Sequence, residues 1–165
     1  MATKVILDTD PGHDDAVALL LALASPELEI LGVTTVAGNQ TLEKTTVNAL
    51  KILEFVDRAE VPVYVGCDRP LVREQWAAAH VHGESGLDGP SLPPPQTAPH
   101  DGHAIEFIAR QVEEHDGVTL IPVGPLTNIG VLLARYPGIQ QRMARIVLMG
   151  GAIAEGNVTP AAEFN

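Results

Sequence analysis

Val5-Ile6-Leu7-Asp8-Thr9-Asp10-Pro11-Gly12-His13-Asp14-Asp15-Ala16-Val17-Ala18-Leu19-Leu20-Leu21-Ala22-Leu23-Ala24 passes from a short β-prone apolar run, through an acidic turn, into a run of helix formers. Pro11 and Gly12 mark a tight turn, and the acidic pair Asp14-Asp15 suits the first turn of a helix. Ala16 to Ala24 is too short to cross a bilayer, so the stretch predicts a strand feeding a helix. The pattern repeats downstream. Glu29 to Val36 is β-rich, Thr41 with Lys44 to Val56 is helical, and Val61 to Val65 is another short strand. Alternation of this kind predicts βαβ units and a mostly parallel, doubly wound α/β sheet of Rossmann-like type.

Between Arg69 and His100 periodicity is lost and Pro and Gly gather, including Pro93-Pro94-Pro95, which predicts a long loop with little regular structure. Order resumes with a helix near Gly102 to His115, a strand at Val118 to Val123, a helix near Leu126 to Tyr136 and a strand at Arg145 to Met149. Ala152 to Asn165 has no strong period, and the helix that usually follows a strand in such a sheet is missing. The expectation is a sheet incomplete at its C-terminus.

At 165 residues the chain has room for one domain of ordinary size, or part of a larger one. Hydrophobic residues at 45% and charged residues at 19% exclude a chain disordered throughout. Lys and Arg number 10 against 21 Asp and Glu, a formal net charge of −11. A chain this acidic repels polyphosphate backbones and anionic lipid, so no nucleic acid and no membrane is expected as a partner. Cys67 is the only cysteine and cannot form an intramolecular disulfide. With no signal-peptide pattern at the N-terminus, the chain reads as cytoplasmic.

Asp8, Asp10, Asp14 and Asp15 crowd the carboxyl end of the first strand, where open α/β sheets place their ligands. Carboxylates about 4 Å apart repel by roughly 4 kcal/mol at an effective dielectric near 20, which favours a bound cation or a raised pKa. The competing reading is structural: Asp14 and Asp15 complement the helix dipole, while Asp8 and Asp10 make turn hydrogen bonds. If a metal binds, oxygen donors without a thiolate favour Ca²⁺ or Mg²⁺ over zinc. His80 and His82 have a two-residue zinc spacing but no evident third ligand, and read otherwise as solvated loop residues. Cys67 reads as a small packed hydrophobe.

Asp8-Thr9-Asp10-Pro11-Gly12-His13-Asp14-Asp15-Ala16 resembles the N-terminal signature of the inosine-uridine preferring nucleoside hydrolases. The resemblance continues through Val33 to Asn39, His82-Gly83, Gly86 to Gly89, Gly124 to Asn128, Leu148 to Gly151, Glu155 to Asn157 and Ala162 to Asn165, in family order. It implies a single hydrolase domain, of which residues 1–165 are the N-terminal portion, that cleaves ribonucleosides to ribose and free base. It further implies a Ca²⁺ ion held by the carboxylates of Asp10 and Asp15 and the backbone carbonyl of Val123. That ion orients a water and the ribose 2′- and 3′-hydroxyls, with Asp10 as general base. Asp14, Asn39 and Asn165 would bind the ribose diol, Asn157 and Glu163 would hold the 5′-hydroxyl, Met149 would pack nearby, and His82 would lie close to the base. A homo-oligomer is also implied. Purine nucleosidase activity belongs to the resemblance, although these residues leave the choice between purine and pyrimidine open. Cleavage of C1′–N passes through an oxocarbenium-like sugar, which suits anionic carboxylates, a positioned water and amides that both donate to and accept from hydroxyls.

Family members run to about twice this length. Their later half supplies a further Asp to the calcium and a His near the leaving base, so the expected calcium shell is open on one side. Two other readings predict different outcomes. Asp8-Thr9-Asp10-Pro11-Gly12 after a strand also resembles the nucleophile and acid pair of haloacid-dehalogenase-type phosphatases, which use Mg²⁺ and an aspartyl-phosphate, here at Asp8. A non-catalytic ribose- or nucleoside-binding fragment is the third.

Overall fold

The computed structural model describes residues 2–156, 158–160 and 163–165. Strands β1 (Thr3–Thr9), β2 (Leu28–Thr35), β3 (Val63–Val65), β4 (His100–His103), β5 (Thr119–Pro122) and β6 (Arg145–Ile146) form one sheet in the order β4-β3-β2-β1-β5-β6. Every pairing between these strands is parallel. Helices α1 (His13–Ala24), α2 (Leu42–Phe55), α3 (Ala79–His82), α4 (Ala104–Glu114) and α5 (Thr127–Arg135) and a 3₁₀ turn (Ile139–Arg142) lie between them.

Successive side chains of a strand point to opposite faces. Val5 and Leu7 of β1 therefore join a core with Leu19 of α1 and Ala49, Ile52 and Leu53 of α2. Ile6 joins a second core with Phe107, Ile108 and Val112 of α4 and Ile129 and Leu132 of α5. Helices cover both faces, which is the doubly wound arrangement expected. The order reverses between β1 and β5, because the chain builds outward through β2, β3 and β4 on one side and through β5 and β6 on the other. At such a switch point the two adjacent connections leave toward opposite faces, opening a crevice beyond the carboxyl ends of the strands.

Local departures from the expected elements have local causes. β3 begins at Val63 because Pro62 has no N–H to give the ladder, although its carbonyl accepts from Val33 N at 2.9 Å. β4 was not expected: His-Asp-Gly-His carries no β-branched residue, and its pairing comes from Tyr64 and Val65 alongside, while the helix starts later, at Ala104. β6 is shorter than Arg145 to Met149, yet Val147 N and Met149 N still donate to Leu120 and Pro122 carbonyls. Within the long loop, α3 is the only helix among the described residues. The stretch after it is tied to α2 by Asn48 Nδ2 to Ser85 O (2.9 Å) and Lys44 Nζ to Glu84 O, and to the residues just before α2 by Gln40 Nε2 to Gly83 O (3.0 Å).

Gly32 follows a register shift in β1–β2 pairing, and a Cβ there would stand 2.6 Å from Phe107 Cζ and 3.1 Å from the Pro62 carbonyl. Phe107 is itself buried and stacked on Tyr64 at 4.1 Å between centroids, so it has little room to yield. Gly32→Ala is expected to cost about 1–3 kcal/mol by overpacking. Urea denaturation measures it, and an unchanged midpoint would show that the ring moves freely.

Candidate active site at the β1/β5 switch point

The turn that leaves β1 delivers Asp10 to the crevice, and the first turn of α1 delivers Asp14 and Asp15. Asp15 lies at 4% exposure and Asp10 at 1%. Asp15 Oδ1 accepts from Thr9 Oγ1 at 2.7 Å, and its Oδ2 accepts from Gly12 N and Asn39 Nδ2, both at 3.2 Å. It therefore caps α1 from a position on the wall of the crevice. Asp10 Oδ2 accepts from Asn39 N at 2.6 Å, and the Asp10 carbonyl accepts from Asn39 Nδ2 at 3.1 Å. Asn39 thus bridges both acids from the end of the β2 connection. Asn48 Nδ2 holds the turn from α2 by donating to Pro11 O at 3.1 Å.

Two glycines make the carboxylate of Asp10 possible. A Cβ at Gly38 would sit 2.1 Å from Asp10 Oδ2, and one at Gly124 would sit 2.7 Å from Asp10 Oδ1. The backbones after β2 and β5 close on this carboxylate from both sides. Val123 N donates to Asp8 O at 2.8 Å, which sets the Val123 carbonyl beside the acids, and Asn165 Nδ2 donates to that carbonyl at 2.7 Å and to Met149 Sδ at 3.2 Å.

Burial, and next the charge of Asp15, push the Asp10 carboxyl up to about 8. Burial likewise raises Asp15, against the hydrogen bonds from Thr9 and Gly12. Among the described residues no Lys or Arg pairs with either. No group of three or more His, Cys, Asp or Glu able to hold a metal occurs among the described residues. The donor set is two buried carboxylates and a backbone carbonyl, all hard oxygens, and it suits a hard divalent cation better than zinc.

A cavity of about 670 Å³ opens over these groups, a size suited to a small organic ligand. Of the residues singled out in the sequence, Asp10, Asp14, Asp15, Asn39, His82, Val123, Met149 and Asn165 line it. Glu163 does not: it is half-buried, and its neighbours Phe164 and Asn165 supply the wall instead. Asn157 lies outside the described residues. His80 also lines the cavity, and so do His13, Trp76 and Val81, which sequence reasoning missed. The signal for His13 was its position inside the acidic signature; that for Trp76 was a lone tryptophan in a Pro- and Gly-rich loop. Cys67 packs against the α4/α5 core, as expected of a small hydrophobe.

Asp8 plays a different part. It is 1% exposed, and its Oδ1 accepts from Thr34 Oγ1 and from Asn128 Nδ2 at 2.7 Å, while Oδ2 has no partner among the described residues. Burial pushes this carboxyl up to about 6. It does not line the cavity, so the phosphatase reading, which makes Asp8 a nucleophile, fails on access.

The inosine-uridine preferring nucleoside hydrolase family model matches residues 5–165. The "Pyrimidine-specific ribonucleoside hydrolase RihA" of Salmonella paratyphi B is 54% identical over 166 residues, covering 100% of this chain and 53% of the relative. The chain thus spans about half the length of the curated relatives it matches. Among solved structures, the "Purine-Preferring Ribonucleoside Hydrolase from Gardnerella vaginalis" superposes with a TM-score of 0.94 at 36% identity, covering 99% of this chain and 54% of that one. A plant nucleoside hydrolase gives 0.92 at 40%, covering 100% and 53%. No helix among the described residues is long and apolar enough to cross a membrane. With the acidic signature, the parallel sheet and the switch-point cavity in agreement with these matches, the chain belongs to the inosine-uridine preferring nucleoside hydrolase family.

Proposed function

We propose that the protein hydrolyses the N-glycosidic bond of ribonucleosides, pyrimidine ribonucleosides above purine ones. The observation that carries the reading is the pair of buried carboxylates, Asp10 and Asp15, neither paired with a Lys or Arg among the described residues, at the floor of an open cavity beside Asn39 and Val123. The pyrimidine preference rests on the name of the Salmonella relative and its identity across the whole chain, and it replaces the purine nucleosidase expectation.

Asp10, Asp15 and the Val123 carbonyl would hold Ca²⁺. When bound, the ion supplies Lewis acidity toward a water and the ribose diol. Asp10 takes a proton from the attacking water as its oxygen bonds to C1′. The C1′–N bond breaks, its electron pair leaves with the base nitrogen, and that nitrogen takes a proton from solvent while the proton held by Asp10 returns to solvent, so that nucleoside and water become ribose and free base. Asp14, Asn39 and Asn165 stand around the same floor and offer the acceptors and amides that sugar hydroxyls need. The negative charge of the acids favours the cationic character of the sugar as the bond breaks. Met149 and His82 also line the cavity, and the reading assigns Met149 an apolar wall and His82 the neighbourhood of the base. The 5′-hydroxyl is assigned to Glu163 and Asn157.

Chromatographic release of free base from uridine, cytidine and inosine tests the reading, with phosphate release from a phosphate ester and binding of ribose alone as the competing outcomes. Uracil and cytosine are expected to appear faster than hypoxanthine. Ribose binding without any base release would favour a binding fragment, and phosphate release would sink both.

A further inference from the structure

His13 lies between Gly12 and the acid pair, and its side chain reaches the segment after α3. Its Nε2 lies 2.8 Å from the Asp88 carbonyl oxygen, which accepts only, so Nε2 carries the hydrogen and donates. Its Nδ1 lies 3.2 Å from His82 Nδ1, the rings are 5.4 Å apart between centroids, and its backbone N–H donates to His82 Nδ1 at 3.3 Å. Gly12 leaves the space this needs, since a Cβ there would stand 2.8 Å from the His82 ring. The His82 side chain is held at 11% exposure, with Nε2 3.9 Å from Asp14 Oδ1.

The anchors in and just before α2, Gln40, Lys44 and Asn48, take only the carbonyls of Gly83, Glu84 and Ser85. The carboxylate of Asp88 is spent within its own turn, on Glu84 N and on Ser85. The α1 side of the segment is therefore fastened through His13. We propose that His13 is a positioning residue: a clasp that holds residues 79–88 against the acidic turn and fixes His82 over the cavity. Its consequence for nucleoside binding rests on the hydrolase reading above, whereas the clasp rests on these contacts alone. Losing it leaves the floor of the cavity intact and loosens its roof, so substrate affinity suffers more than the chemical step.

Hydrogen exchange and steady-state kinetics on His13→Leu and His13→Gln separate the two. The amides of Val81, His82, Gly83 and Asp88 hydrogen-bond within the segment and report on it. In His13→Leu they are expected to exchange about tenfold faster with β1 and β2 unchanged, and KM for uridine to rise about tenfold with kcat within about threefold. His13→Gln, which keeps an N–H within reach of the Asp88 carbonyl, is expected to restore both to near the parent values. Unchanged exchange in His13→Leu, or equal effects of the two substitutions, overturns the clasp. If the exchange result holds but the parent releases no base from any nucleoside, the clasp stands and the hydrolase reading fails instead.

Discussion

Asp10→Asn is expected to lower nucleoside hydrolysis by about 10²–10⁴-fold, the range for removal of a general base. The same change is expected to leave the apo protein as stable as the parent or more so. Asparagine keeps the shape and can still accept from Asn39 N, which now donates to Asp10 Oδ2 at 2.6 Å. What it removes is a carboxyl at 1% exposure facing a second acid, a group that costs free energy to bury as a charge. Stability and activity therefore move in opposite directions, which a general packing defect cannot produce. Thermal melts with and without millimolar Ca²⁺ add an independent reading. The parent should gain stability from the ion by mass action, and Asp10→Asn should lose most of that gain. Activity within tenfold of the parent, or an undiminished calcium shift, would remove Asp10 from both roles.

Asn128→Ala is expected to be among the most destabilising single changes, at about 3 kcal/mol or more. Asn128 is fully buried at the start of α5 and satisfies three groups from three parts of the sheet. Nδ2 donates to Asp8 Oδ1 at 2.7 Å and to Thr35 O at 3.0 Å, and Oδ1 accepts from Cys67 N at 2.8 Å. Alanine takes this partner from the Thr35 carbonyl and from Cys67 N and leaves Asp8 Oδ1 with Thr34 Oγ1 alone, at about 1–3 kcal/mol for each group left unsatisfied. Such a loss is a large fraction of the 5–15 kcal/mol typical of a domain. A fall of less than 1 kcal/mol in urea denaturation would show that water enters and satisfies the network. Because Asp8 leads directly into Asp10, the variant should also weaken calcium binding even where enough protein remains folded to measure it.

The alternation of β-prone and helix-prone runs, the acidic turn after β1 and the blocks after β2 and β5 were legible without coordinates. Each is a local matter: periodicity of 2 or 3.6, a turn dictated by Pro11-Gly12, and the tendency of α/β ligand sites to fall just after strands. The sequence by itself determined that Asp10, Asp15, Asn39 and Val123 would meet, since all follow strands of one parallel sheet. It did not determine that Asp8 would turn away from the cavity toward Asn128, 120 positions downstream. Nor did it separate Asp15 the helix cap from Asp15 the cavity wall, because one carboxylate has two oxygens and the fold uses both. His100–His103 pairs as a strand with no β propensity of its own, and Trp76 and Val81 reach the cavity only through the path of the loop between β3 and β4. Contacts between residues far apart in the chain depend on how two elements pack, and no local period or propensity carries that information. The tertiary structure alone decided them.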